Sequence, residues 1–219
     1  MPFSGVAASS KIYDLRNLLA ERFPQPQVHA QARFATGIPA LDQATNGGLP
    51  RGAITELTSP HPSSGSASMI AALLVHAHRE QQFLALIDGR DSFDPGPLGN
   101  GRLRHLLWVR CGKAIDAVKA ADLLLRDGNF PLVILDLVLN SADELRKIPQ
   151  TTWYRLQRLA EPIATAFLVL TRRSMISSAQ LKLVLDHQWQ LPDLEEKPDL
   201  AWIKVHVQRM QGGREELAV

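Results

Sequence analysis

The sequence predicts an α/β fold in which a mainly parallel β-sheet is flanked by helices. Apolar runs of strand length alternate with segments of helical periodicity from residue 36 onward. These runs are almost continuously apolar, which is typical of strands buried on both faces. The chain has 219 residues, of which 45% are hydrophobic and 21% charged. That length and composition are sufficient for a buried core.

The first 35 residues predict a separate helix and a linker. Between residues 8 and 23 the apolar residues recur at spacings of three and four, and prolines follow directly. We therefore expect a helix over 1–23, a linker over 24–35 and a core domain over 36–219. The apolar stripe of the helix is a candidate partner-binding surface, which docks either on its own core or on another subunit or protein. Its residues are Ile12, Leu15, Leu18, Leu19 and Phe23.

The core predicts alternating strands and helices, in this order: strand Ala53–Thr58, helix Ser66–Glu80, strand Phe83–Ile87, strand Leu106–Val109, helix Ala114–Arg126, strand Leu132–Leu139, helix Thr151–Ala160, strand Thr165–Leu170, a helix or strand at Gln180–Leu185, and one arm of a β-hairpin at Trp202–Val207. Ligands of such sheets bind beyond the carboxyl ends of the strands.

Composition excludes several classes of protein. The single cysteine, Cys111, excludes a disulfide framework and a multi-thiolate metal site. No apolar run reaches the roughly 20 residues that span a bilayer, and residues 1–10 lack the pattern of a signal peptide. We expect a cytoplasmic protein with no membrane partner, and association with the nucleoid stays open. The net charge of +2 permits nucleic-acid binding without requiring it.

The segment from Glu56 to Ile70 has the order strand, small-residue loop, helix start. This order directs backbone N–H groups and a helix N-terminus at an anion. The candidate nucleotide-binding residues in it are Ser63, Ser64, Gly65, Ser66 and Ser68. A working phosphate loop also needs a lysine and an adjacent Ser/Thr hydroxyl, but Ser66 and Ala67 follow the glycine here. The alternative is an ordinary helix-capping loop.

Five segments in order carry a resemblance to a known family: Thr36–Asp42, Gly47–Gly52, Ile54–Leu57, Leu86–Pro95 and Leu132–Asp136. Together they resemble the RecA-like superfamily across roughly residues 36–210. Within it they are most similar to the ImuA-type proteins of SOS mutagenesis cassettes and to their SulA-like relatives. The resemblance implies a RecA-like core in which Asp136 is the Walker B aspartate.

The chain departs from this family where the family hydrolyses ATP. The family's lysine position falls on Ser66, its Mg²⁺-ligand position on Ala67 and its catalytic glutamate on Arg90. Loss of one transition-state contact typically costs about 10²–10³ in rate. We therefore expect a protein without ATPase activity and without a cofactor. Weak binding of ATP and Mg²⁺ stays open, with Arg90 supplying the missing positive charge.

Clustered basic residues are candidates for single-stranded DNA binding: Arg102, Arg104, Arg172, Arg173, Lys204 and Arg209. The alternative is a solvated basic face. The family's two DNA-binding loops correspond to residues 140–149 and 171–178, and both are short. We expect the carboxylates of Asp42 and Glu56 to be hydrogen-bonded structural groups.

The resemblance implies an accessory or scaffold protein of the SOS response and of translesion DNA synthesis. The partners it implies are a Y-family polymerase-like protein, an alternative replicative-type polymerase and RecA itself, while a homo-oligomer stays open. Two alternatives remain. One is a weakly ATP-binding, DNA-binding repair protein. The other is a SulA-like inhibitor of cell division.

Overall fold

The computed structural model describes residues 32–61, 64–186 and 203–210. The predicted N-terminal helix with its stripe from Ile12 to Phe23, most of the linker, and Ser63 and Trp202 lie outside the described residues. No helix among the residues described here is long and apolar enough to cross a membrane.

The described elements follow one another as β1 (Arg33–Phe34), α1 (Pro39–Ala44), β2 (Leu49–Pro50), β3 (Ala53–Thr58), α2 (Ser66–Arg79), β4 (Leu84–Asp88), two 3₁₀ turns (Gly96–Leu98 and Asn100–Leu103), β5 (Leu106–Arg110), α3 (Ala114–Asp127), β6 (Leu132–Asp136), α4 (Ala142–Arg146), α5 (Gln150–Ile163), β7 (Ala166–Thr171), β8 (Leu181–Leu185) and β9 (Val205–Met210).

Seven of these strands form the main sheet, in the order β5-β4-β6-β7-β3-β8-β9. Every neighbouring pair is parallel except β8–β9, which is antiparallel. The strands β1 and β2 form a separate two-stranded antiparallel sheet. The α/β prediction with a mainly parallel sheet is confirmed.

Two apolar cores lie on the two faces of the sheet. On one face, Met69, Ile70 and Leu73 of α2 pack against the sheet. On the other face, Ala117 and Ala121 of α3 and Trp153 of α5 pack against it. Helices therefore cover both faces, as buried parallel strands require. Because α2 follows the interior strand β3, its N-terminus lies at the carboxyl edge of the sheet.

The strand predicted over Leu132–Leu139 is shorter in the structure and ends at Asp136. The Asp136 carboxylate accepts a hydrogen bond from Val138 N at 3.0 Å, and Asn140 N donates to the Leu137 carbonyl at 3.1 Å. These bonds turn the chain, and apolar content alone does not reveal them. The following segment, 140–149, contains the short helix α4, at whose start the Ser141 hydroxyl accepts a hydrogen bond from Glu144 N.

The ambiguous segment Gln180–Leu185 is a strand, β8, and its pairing explains why. Leu181, Leu183 and Leu185 are buried while Lys182 and Val184 are half-buried, which is the alternation of a strand. The predicted C-terminal arm is β9, which extends the main sheet as its antiparallel edge strand. It runs from Val205 to Met210 and so ends three residues beyond the predicted Val207, while the predicted start at Trp202 lies outside the described residues.

Candidate functional site

The predicted phosphate-loop segment links the interior strand β3 to α2, as expected for a strand–loop–helix unit. Ser59 N donates to the Thr171 carbonyl at 2.7 Å and fixes the start of the loop on β7. Gly65 is the N-cap of α2 in the left-handed region, at φ 90°, and no side chain caps the helix. A residue with a Cβ is disfavoured at this φ, so the glycine is required for the turn.

Ser64 serves the loop itself. Its hydroxyl accepts from His61 N at 3.1 Å and donates to the His61 carbonyl at 2.9 Å. Ser64 N also donates to that carbonyl, at 3.2 Å, and the residue is fully buried. The structure thus places this candidate nucleotide-binding residue in a closed turn, with its hydroxyl directed at the loop's own backbone.

Ser66, Ser68 and Asp136 do converge, because all three line one cleft of about 820 Å³. This cleft runs along α2 and we call it the α2 cleft. Its walls are the segment around Ile38, the outward face of α2, and the chain from Ser92 to Arg102. Its first end lies at the N-terminus of α2, and its second end lies at Arg79 in the last helical turn.

Asp136 and Asp88 lie side by side at the carboxyl ends of β6 and β4. Asp88 is buried and accepts hydrogen bonds from Ser92 N and Phe93 N, each at 2.8 Å. Burial raises the pKa of Asp136 to about 6, the hydrogen bond from Val138 N opposes this, and the charge of Asp88 adds to it. Around neutral pH a fraction of Asp136 is therefore protonated.

Arg90, for which the sequence resemblance implies the position of a catalytic glutamate, does not line the α2 cleft. Its guanidinium donates to the Gly112 carbonyl at 2.9 Å and lies 3.6 Å from the Glu144 carboxylate. Asn140 joins the same network by donating to the Gly89 carbonyl at 3.0 Å and to Glu144 at 3.1 Å. The idea that Arg90 replaces the phosphate-loop lysine has no support in this geometry.

The predicted DNA-binding residues lie in separate places: two precede the edge strand β5, two directly follow the middle strand β7, and two lie in or next to the opposite edge strand β9. Arg102 and Arg104 lie just before the edge strand β5, and Arg102 lines the α2 cleft. At the other edge, Arg209 of β9 donates to the Ser177 carbonyl at 3.5 Å. This contact places Arg209 beside the loop that carries Arg172 and Arg173, which are exposed. Lys204, also exposed, directly precedes β9.

Glu56 and Asp42 are hydrogen-bonded structural groups, as predicted. Asp42 accepts from Thr36 N at 2.9 Å, from the Thr36 hydroxyl at 2.7 Å and from Gly37 N at 3.1 Å. Glu56 is fully buried in β3 and lies 3.0 Å from the Lys182 ammonium. The sequence analysis did not single out Lys182, since an isolated lysine between apolar residues gives no signal of a buried partner.

Glu56 also holds the loop between β7 and β8. It accepts from Met175 N at 2.6 Å, from Ile176 N at 3.1 Å and from the Ser174 hydroxyl at 3.0 Å. Lys182 donates to the Ser174 hydroxyl as well, at 2.8 Å. The loop between β7 and β8 is thereby anchored to β3, an interior strand of the main sheet.

Sequence reasoning also missed His76 and Arg79, which line the second end of the α2 cleft. They occupy the outward face of α2, which the helical pattern assigns to solvent. In the described part of the chain, no group of three or more His, Cys, Asp or Glu residues is placed to hold a metal ion.

No protein-family model matches the chain. Three similar curated proteins are all named Protein RecA. The one from Clavibacter michiganensis subsp. michiganensis is 36% identical over 111 residues, 49% of this chain and 30% of that protein. The one from Chlorobaculum parvum is 33% identical over 115 residues, which are 51% of this chain and 32% of that protein. The one from Chlamydia felis is 31% identical over 115 residues, which are 50% of this chain and 32% of that protein.

The match thus spans about half of this chain and about a third of the length of each of these relatives. The fold agrees with this similarity, because a mainly parallel seven-stranded sheet carries the strand–loop–helix unit on its β3. The sequence similarity and the α/β architecture together support a RecA-like superfamily relationship for this chain.

Proposed function

We propose that this protein is a non-catalytic, RecA-like accessory protein of DNA repair. In this proposal it acts as a scaffold in the SOS response and in translesion DNA synthesis, in the manner of the ImuA-type proteins that its sequence resembles. The similarity to RecA supports the repair context. We propose a protein that does not hydrolyse ATP because of the residues around the N-terminus of α2.

The single observation that carries the proposal is that no lysine lines the described part of the α2 cleft, where a phosphate-binding loop would need one. At the N-terminus of α2 the cleft is lined by Ser66, Ala67 and Ser68, and no lysine lines its described part. Phosphoryl transfer depends on cations that neutralise charge on the transferred group. The arginine that replaces the catalytic glutamate, Arg90, is paired elsewhere. These substitutions favour a fold that is used for binding.

The proposed partners follow from the resemblance. They are a Y-family polymerase-like protein, an alternative replicative-type polymerase and RecA, and a second copy of this chain is a further candidate.

The decisive experiment is an ATPase assay of the purified full chain with Mg²⁺, with and without single-stranded DNA, beside RecA as a positive control. We expect no turnover above the buffer blank. Magnesium-dependent turnover that Asp136→Ala abolishes would contradict the proposal. In the native host, deletion of the gene is expected to lower the frequency of damage-induced mutation. Expression of the Asp136→Ala variant in the deletion strain is expected to restore that frequency, because the proposed function does not need ATP hydrolysis.

A second candidate is a weakly nucleotide-binding protein of DNA repair. It is favoured by one observation, namely that Ser66, Ser68 and Asp136 line the same cleft. Calorimetry with millimolar ATP and Mg²⁺ separates the two candidates, since binding that Asp136→Ala removes supports this second one.

Single-stranded DNA binding is tested separately by fluorescence anisotropy at low salt. The double variant Arg172→Ala/Arg173→Ala is compared with Arg102→Ala/Arg104→Ala, which removes the same charge beside the edge strand β5. Affinity for nucleic acid through arginines falls with salt. Loss of affinity in only one double variant identifies which arginine pair binds DNA, whereas unchanged affinity in both excludes these residues.

A further inference from the structure

We propose that the α2 cleft is a docking groove for an acidic amphipathic helix of a partner protein. The inference rests on the proposed scaffold function and deepens it, because it names a binding surface and the chemistry of its partner. It depends on three properties of the cleft: its apolar floor, its length and the distribution of charge along it.

The floor of the cleft is formed by the outward face of α2. Ala71, Ala72 and Val75 are partly buried there and pack at the edge of the core. Phe93 contributes from the opposite wall, and Leu139 lies at the rim with 54% of its surface exposed. Small residues on a helix allow close approach of a second helix, and an exposed leucine at the rim supplies an apolar contact.

The length of the cleft suits a helix. Helix α2 has 14 residues, which corresponds to about 21 Å at 1.5 Å per residue. A helix in a groove binds through apolar residues at positions i, i+3 or i+4, and i+7. A segment of three to four turns would therefore lie along the whole of α2.

Charge selects the chemistry of the partner. Arg79 and Arg102 both line the cleft and are exposed, and neither forms an ion pair with a residue in the described ranges. The 3₁₀ turn that carries Arg102 packs against α2. Asp94 and Asp136 also line the cleft, and Asp136 lies with Ser66 near the start of α2. Carboxylates of a partner would pair with the two arginines, and complementary charge provides specificity.

Nucleic acid fits the same groove less well. Its binding depends on many phosphate contacts, whereas two arginines above an apolar floor provide few. A free nucleotide bound at the N-terminus of α2 would leave the apolar floor around Val75 and the second end of the cleft uncovered.

The test uses three labelled amphipathic peptides of 14 residues, equal in length to α2. They share one leucine face and carry glutamate, glutamine or lysine at the same polar positions. Binding to the full chain is measured by fluorescence anisotropy at two salt concentrations. The variants are Arg79→Glu/Arg102→Glu and, as a matched control, Arg104→Glu, which changes an exposed neighbour that does not line the cleft.

We expect the glutamate peptide to bind more tightly than the other two peptides, and its affinity to fall at high salt. Its affinity for Arg79→Glu/Arg102→Glu is expected to be lower by about tenfold or more, whereas its affinity for Arg104→Glu is expected to equal that for the unchanged protein. Equal binding of all three peptides, or no binding, would overturn the proposal. So would a dimer in light scattering that Val75→Glu dissociates, or single-stranded DNA bound by the same two arginines in place of the peptide. ATP turnover in the earlier assay would refute the scaffold function without affecting the peptide result.

Discussion

The ion pair between Glu56 and Lys182 predicts a specific loss of stability when either partner is removed. Glu56 is fully buried, and Lys182 keeps 13% of its side chain exposed. We consider Glu56→Gln and Lys182→Met, which keep the approximate volume of each side chain and remove its charge. Each leaves the opposite charge in the interior without its partner.

The expected cost follows from this geometry. Breaking a buried ion pair costs about 3–5 kcal/mol, and partial access of Lys182 to water places this pair at the lower end, at about 3 kcal/mol. Two backbone N–H groups and one hydroxyl still donate to Glu56 in Lys182→Met, so its cost is expected at about 2–3 kcal/mol. In the double variant no unpaired charge remains, and its cost is expected to be smaller than the sum of the two.

The assay is urea unfolding followed by circular dichroism, with all variants analysed at a common m-value. Lys204→Met is the matched control, because Lys204 is exposed and no ion pair is described for it. Hydrogen exchange of Met175 and Ile176 adds a local measurement, since both amides donate to Glu56. Strict additivity of the two single substitutions, within about 0.5 kcal/mol, would refute the coupling.

Three further predictions concern other parts of the molecule. A Cβ at Gly37, whose φ is +70°, would meet the His76 ring, so Gly37→Ala is expected to cost about 1–3 kcal/mol in urea unfolding; an unchanged midpoint would contradict this. Because burial raises the pKa of Asp136 to about 6, its folded form binds a proton that the unfolded chain releases near pH 4. The free energy of unfolding is therefore expected to fall as pH rises from about 4 to 6. The Asp136→Asn variant is expected to show a flatter pH dependence and a free energy of unfolding up to about 3 kcal/mol higher at pH 7. A steeper pH dependence in the variant would exclude this cause. Leu168→Ala in the main sheet is expected to lower the free energy of unfolding by about 2–5 kcal/mol. Leu123 on α3 is 68% exposed, so Leu123→Ala is expected to change the unfolding midpoint little. Equal effects of the two substitutions would show that the core is placed wrongly.

The sequence predicted the sheet well because its strands are nearly continuous apolar runs. Leu84–Asp88 and Ala166–Thr171 are buried along their whole length, and such runs identify strands of a parallel sheet without any knowledge of their neighbours. The end of β6 at Asp136 could not be predicted in the same way, because a side-chain hydrogen bond to Val138 N turns an otherwise apolar segment.

The candidate site was predictable only in part. The convergence of Ser66 and Asp136 follows from their positions at the carboxyl edge of a parallel sheet. The direction of Arg90 did not follow from sequence, since it depends on the Gly112 carbonyl and on Glu144, which lie 22 and 54 residues away in the chain. Long-range pairings of this kind leave no local pattern.

The register of β8 has a consequence for how this end of the sheet assembles. Glu56 and Lys182 are direct neighbours in the parallel pairing of β3 and β8. A slip of β8 by one residue would exchange its two faces, taking the ammonium into the leucine core and bringing a leucine to the carboxylate. The buried ion pair therefore favours the observed register of β8 over a register shifted by one residue. Because β9 pairs with β8, this also defines the edge on which β9 adds to the sheet.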